Sequence, residues 1–150
     1  MTPSQLFDLA LALALQTHGG VTDKGGKPYI LHPIRIAMRL RTDDLELMSI
    51  AILHDVIEDS DMTIEQLYRE GFSERVCDAL HLLTHEPGVA YADYIAGMQH
   101  NKDALRVKRE DLRDNSDITR LKGVSEKDLA RLSKYAKAYA QVQEYLQALN

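Results

Sequence analysis

The chain has 150 residues, enough for one domain that buries roughly two-thirds of its unfolded surface. Apolar residues make up 45% and charged residues 27%, as in ordinary globular proteins, and the net charge of -5 argues against a broad nucleic-acid surface. The single cysteine, Cys77, excludes an internal disulfide and suits a reducing, cytoplasmic compartment, with core packing as its expected role.

Thr2-Pro3-Ser4-Gln5 has the form of a capping box with proline in the first turn, and predicts a helix that runs to about His18 and stops at Gly19-Gly20. Its Leu9–Leu15 run imitates a signal peptide, but it lacks a basic leader, carries Asp8, and is too short to cross a bilayer; no membrane role is expected. A glycine-rich loop, Gly19 to Tyr29, carries Asp23, Lys24 and Lys27. Ile30-Leu31-His32-Pro33 opens a second helix. Asp43 with Glu46 resembles another capping box at the start of a central helix, whose apolar run Leu47–Leu53 should be buried on most sides.

That run leads directly into His54-Asp55-Val56-Ile57-Glu58-Asp59. On a continuous helix His54 and Asp55 would both face Glu58, and Asp55 would also face Asp59. One imidazole and three carboxylates on the flank of a core helix are costly to bury unless neutralised, and a divalent cation would neutralise them. Further helices are expected over Thr63 to Glu70, stopped by Gly71, and over Ser73 to Thr84, broken by Glu86-Pro87-Gly88. Others follow around Tyr91, Tyr94, Ile95 and Met98 and over Lys102 to about Asn115. Ser125 with Asp128 caps a long last helix with a stripe of Leu129, Leu132, Tyr135, Tyr139, Val142 and Leu146. Its tyrosines (Tyr135, Tyr139, Tyr145) suit either cover for the chain's own core or a homo-oligomer contact. No segment alternates as a strand and no linker or repeat divides the chain. The expected class is all-α, one domain over 1–150.

His32, placed by the following Pro33, and Asp111 are the candidate ligands outside the central stretch. With His54 and Asp55 they would form a mixed nitrogen and oxygen site that favours Mn²⁺, Fe²⁺ or Zn²⁺ over Ca²⁺. Taken singly, a His-Asp pair, a charged helix face and two loop lysines are commonplace. His18, His81, His85 and His100 are read as structural.

Together, His18-Gly19, Lys24 to Pro33, His54 to Asp59 and Lys108 to Asn115 stand in one order and at spacings that resemble the HD-domain metal-dependent phosphohydrolases. The likeness is to the branch containing the hydrolase domains of RelA/SpoT homologues and their small stand-alone relatives, and it covers about Leu6 to Leu132. It implies a compact helical bundle in which His32, His54, Asp55 and Asp111 hold one ion, Mn²⁺ first and Fe²⁺ or Zn²⁺ as alternatives. It also implies Glu58 and Asp59 as the catalytic acidic pair and Asn115 as a substrate contact. Lys24 is placed to meet a phosphate as a point charge.

The implied activity is hydrolysis of a phosphoester or pyrophosphate of a small nucleotide-like metabolite. Narrower or different readings are a ppGpp 3′-pyrophosphohydrolase and a metal-retaining nucleotide sensor without turnover. Members that act on ppGpp typically carry arginine where Asp23 stands and a basic residue where Asp117 stands, and small residues where Arg109-Glu110 precede Asp111. These departures point toward phosphohydrolysis more than toward ppGpp itself.

Overall fold

A computed structural model describes residues 1–150. The helices, in chain order, are α1 (Pro3–His18), α2 (Leu31–Arg39), α3 (Leu45–Leu53), α4 (Val56–Asp59), α5 (Ile64–Glu70), α6 (Glu74–Leu83), α7 (Tyr91–Ala96), α8 (Lys102–Asn115) and α9 (Glu126–Ala148). A 3₁₀ turn at Ile118–Arg120 joins the last two. The only bridge of strand type pairs Thr22 with Pro28 and closes the loop after α1. The architecture is an all-helical bundle, as the periodicity predicts.

α3 is the axis of the bundle. Leu47, Ile50, Ala51 and Leu53 are fully buried, and α1, α2, α6 and α8 pack around the helix. A helix apolar on every side has no solvated face and must lie inside. Each of its large side chains contributes about 1.5–3 kcal/mol through removal from water. The capping boxes at Thr2, Thr63 and Ser125 form, each with its third residue returning a side-chain bond. Gly71 ends α5 at φ 109°, where a Cβ would be strained.

Three expectations change. Asp44, not Asp43, caps α3, accepting from the Leu47 amide, while Glu46 turns away to bond Ser73 and Arg75. The central helix is not continuous: it ends at Leu53, and Asp55 sits at φ -103°, ψ -4° before α4 begins. In α9 the buried residues are Ala138, Val142 and Leu146, whereas Leu129 is exposed, because only the C-terminal half of that helix lies on the core.

Candidate metal centre

The break after Leu53 is what builds the site. His54 turns its Nδ1 back to the Ala51 carbonyl at 2.7 Å, so Nδ1–H donates there and the Nε2 lone pair faces inward. On α2, the His32 Nδ1 lies 2.6 Å from Asp114 Oδ2, which orients its Nε2 toward the same point. The two rings stand edge to face with centroids 5.1 Å apart.

His32 Nε2 is 3.0 Å from Asp111 Oδ1 and 3.8 Å from Asp55 Oδ2. His54 Nε2 is 3.1 Å from Asp55 Oδ2 and 3.5 Å from Asp111 Oδ1, but off the axis a hydrogen bond needs, so this buried nitrogen has no hydrogen-bond partner. Donor atoms of His32, His54 and Asp55 all lie within 4.8 Å of one another. Two inward imidazole nitrogens, one of them orphaned, and two carboxylates fit a divalent cation. Burial disfavours both imidazolium forms, yet the carboxylates outweigh it. Asp111 and Asp114 hold His32 above the usual histidine range, and Asp55 and Asp111 do so for His54.

Residues not singled out from the sequence complete the surroundings. Tyr29 donates its hydroxyl to Asp55 Oδ2 at 2.5 Å. Asp114, with no exposed surface, accepts from His32, Arg35, Arg39 and Arg120 together. Its burial would raise its pKa, but the His32 and Arg35 hydrogen bonds drive it well below the carboxylate range. Lys108, also buried, donates to Asp111 Oδ2 at 2.8 Å. Helical spacing was the available signal, since Lys108, Asp111 and Asp114 stand three apart on one face of α8. His18 is buried against the Tyr29 ring, and burial lowers its pKa.

The centre lies between two cavities. The larger, about 330 Å³, is lined by Asp23, Lys24, Tyr29, His32 and Arg120; the smaller, about 230 Å³, by His54, Asp55, Glu58, Lys108 and Asp111. Asn115 and Tyr135 wall both. Asn115 Nδ2 also donates to Asp111 Oδ1 at 3.0 Å.

Glu58 is fixed at the rim, where its Oε1 accepts from the His85 amide at 2.5 Å. Partial burial pushes its pKa up, and the His85 bond opposes that. Asp59 is exposed on α4 and lines neither cavity; partial burial and then Asp55 push its pKa up. Lys24 is exposed and makes no ion pair. Asp23 does not face solvent as a free charge: it accepts from the Gly25 and Lys27 amides and pairs with Arg120. Gly25 is required there, because a Cβ would fall 2.1 Å from the Arg120 carbonyl oxygen.

No family model matches the chain. Curated relatives do. A guanosine-3′,5′-bis(diphosphate) 3′-pyrophosphohydrolase of Aquifex aeolicus is 37% identical over 84 residues, covering 55% of this chain and 12% of that protein. The corresponding enzyme of Vibrio cholerae is 48% identical over 60 residues, covering 37% and 8%. The bifunctional (p)ppGpp synthase/hydrolase SpoT of Escherichia coli is 40% identical over 72 residues, covering 45% and 10%. The chain therefore spans about a tenth of the length of the curated relatives it matches.

Among solved structures, a metazoan ortholog of SpoT, described as hydrolysing ppGpp and playing a role in starvation responses, superposes with a TM-score of 0.75 at 21% identity. That match covers 99% of this chain and 95% of the other. No helix is long and apolar enough to cross a membrane. In sequence over part of its length the chain is similar to these guanosine-3′,5′-bis(diphosphate) 3′-pyrophosphohydrolases, and over nearly all of its length it has the fold of the metazoan SpoT ortholog.

Proposed function

We propose that residues 1–150 act as an HD phosphohydrolase domain, cleaving a phosphoester or pyrophosphate of a small nucleotide-like metabolite in the cytoplasm. The observation that supports this most is the convergence of His32, His54, Asp55 and Asp111 from α2, α8 and the turn between α3 and α4 onto one point beside Glu58. These four residues would hold one divalent cation, Mn²⁺ in preference to Fe²⁺ or Zn²⁺. Bound there, it supplies Lewis acidity and lowers the pKa of water.

The chain's own groups do the rest. Glu58, held by the His85 amide and with its proton affinity raised by burial, takes one proton from the attacking water. Water's oxygen forms the new bond to phosphorus, the bond from phosphorus to the ester oxygen breaks, and that oxygen takes a proton from solvent as it leaves. Asp59, one residue on, passes the proton to solvent. Asn115 keeps Asp111 in register and, with Lys24, contacts the substrate from the larger cavity.

The test is release of phosphate or pyrophosphate from a panel of phosphorylated metabolites, ppGpp among them, with Mn²⁺. Glu58→Gln should lose about 10²–10⁴-fold in turnover while its metal content stays at the wild-type level. Equal turnover in the variant, or none in the wild type with metal bound, overturns the assignment. In the latter case the chain is a metal-retaining sensor of nucleotides.

The ppGpp reading is supported by what the relatives are named for. Against it stand Asp23 and Asp117. Neither carries a free cation or a stacking plane, and Asp117 spends its carboxylate on Thr119.

A further inference from the structure

The two cavities flanking the centre differ in charge. Around the larger one, Asp23, Asp114, Asp117 and Asp128 outnumber Lys24, Arg120 and Arg131. Most of these charges pair among themselves, Arg120 with Asp114 and Asp23 and Arg131 with Asp128, which leaves Lys24 as the one cation there without a carboxylate partner. In the smaller cavity Asp55 and Asp111 are engaged at the centre, Asp111 with Lys108 as well. What remains there is Glu58 against two lysines, Lys108 and Lys134.

Lys108 is nine-tenths buried, and of its three ammonium donors only one is used, on Asp111 Oδ2. Its Nζ lies 5.1 Å from the centre of the Tyr94 ring and 5.8 Å from that of Tyr91. Lys134 reaches in from α9 with its Nζ 4.5 Å over the Tyr91 ring and has no carboxylate partner. The Tyr91 hydroxyl is buried and has no hydrogen-bond partner. A buried cation with spare donors, a second cation without a counter-ion and an unpaired hydroxyl in one cavity wall form a site for an anion.

Resting on the hydrolase reading, we propose that Lys108, Lys134 and Tyr91 form the subsite for the phosphate group that is cleaved. The larger cavity, whose charges are mostly paired with one another, then takes the uncharged end of the substrate. This orientation favours metabolites phosphorylated at one end. It disfavours those, such as a nucleoside with phosphate chains at both ends, that must place a second anionic group where Lys24 is the one cation without a carboxylate partner. Lys134 and Tyr91 are specificity-determining residues, and Lys108 serves both this subsite and the position of Asp111.

The test uses full-length protein loaded with Mn²⁺, with metal content measured, and inorganic phosphate as the probe in calorimetric titration. Lys134→Ala should weaken phosphate binding about tenfold, as loss of a cation, and Tyr91→Phe about threefold, as loss of one hydroxyl donor, with metal content unchanged. Unchanged affinity in both variants overturns the subsite, as does loss of binding in Lys24→Ala with Lys134→Ala unaffected. Lys108→Met is the weaker probe, because it also frees Asp111. The two readings fail separately. A protein that binds phosphate through Lys134 but hydrolyses nothing keeps the subsite and loses the hydrolase. One that turns over substrate with KM unmoved by Lys134→Ala keeps the hydrolase and loses the subsite.

Discussion

Asp114 shows what a single buried carboxylate does for a site it does not enter. It accepts the Nδ1–H of His32, and Arg35, Arg39 and Arg120 close around its remaining lone pairs. An aspartate with no exposed surface persists only because that cluster compensates its charge. Asp114→Asn removes the charge while keeping the shape, leaving three guanidinium groups under-neutralised and the His32 ring less firmly held. Divalent-metal affinity should fall about 10–100-fold, measured by competition with a chelating dye. An affinity equal to wild type would mean that α2 packing alone orients His32. The sequence holds a cue to this residue in its spacing from Asp111. The convergence of Arg35 and Arg39 on it could not be read, because it depends on how α2 crosses α8.

At the scale of elements, α3 and the capped helices were legible because their signals are local: an unbroken apolar run, serine or threonine with a glutamine or aspartate three residues on, and a glycine at a left-handed end. The stop after Leu53 carries no such mark. Nothing in Leu-His-Asp-Val forbids a helix, and the turn is stabilised by a tertiary bond from Tyr29 to Asp55 together with a local one from His54 Nδ1 to the Ala51 carbonyl. The Asp43 cap fails for a similar reason, since Glu46 is held by Ser73 and Arg75 from α6 and its N-cap side. Ile50 has no exposed surface at the centre of α3. Ile50→Ala should cost about 2–5 kcal/mol in urea unfolding, through lost transfer energy and the cavity left behind. A loss under about 1 kcal/mol would mean that the surrounding helices can collapse into the space.

Two electrostatic devices act on the molecule as a whole. The first ties distant parts of the surface together, with Arg75 on α6 bonding Asp44 before α3 and Asp103 in the first turn of α8. These groups are more than a third exposed on the Arg75 side, so Arg75→Ala should cost only about 1 kcal/mol at neutral pH. The Arg75 hydrogen bonds, with burial opposing, hold Asp44 below its ordinary range. A carboxylate depressed on folding stabilises above its unfolded pKa and ceases to do so as pH falls through the folded one. The gap in urea midpoint between wild type and Arg75→Ala should therefore hold down to about pH 4 and narrow below it. A gap that widens in acid would contradict the assignment.

The second device is the centre itself, which gathers α2, α3, α8 and the turn before α4 around one charge deficit. Without a cation, Asp55 and Asp111 rely on imidazolium protons and on Tyr29, Lys108 and Asn115 for compensation. A cation that binds the folded form alone stabilises it by mass action, by about 4 kcal/mol at a thousand times its dissociation constant. For a chain of this length that is a rise in Tm of about 10 °C. Chelation should reverse it, and Mn²⁺ in excess of chelator should restore it. Asp55→Asn separates this from a general salt effect: it removes the carboxylate that compensates the His54 imidazolium, so its Tm under chelator should fall modestly below that of wild type, while added Mn²⁺ should no longer raise it. A melting transition indifferent to chelator in the wild type would mean that no ion is held there. The convergence of two histidines and two aspartates would then serve the packing of the bundle alone.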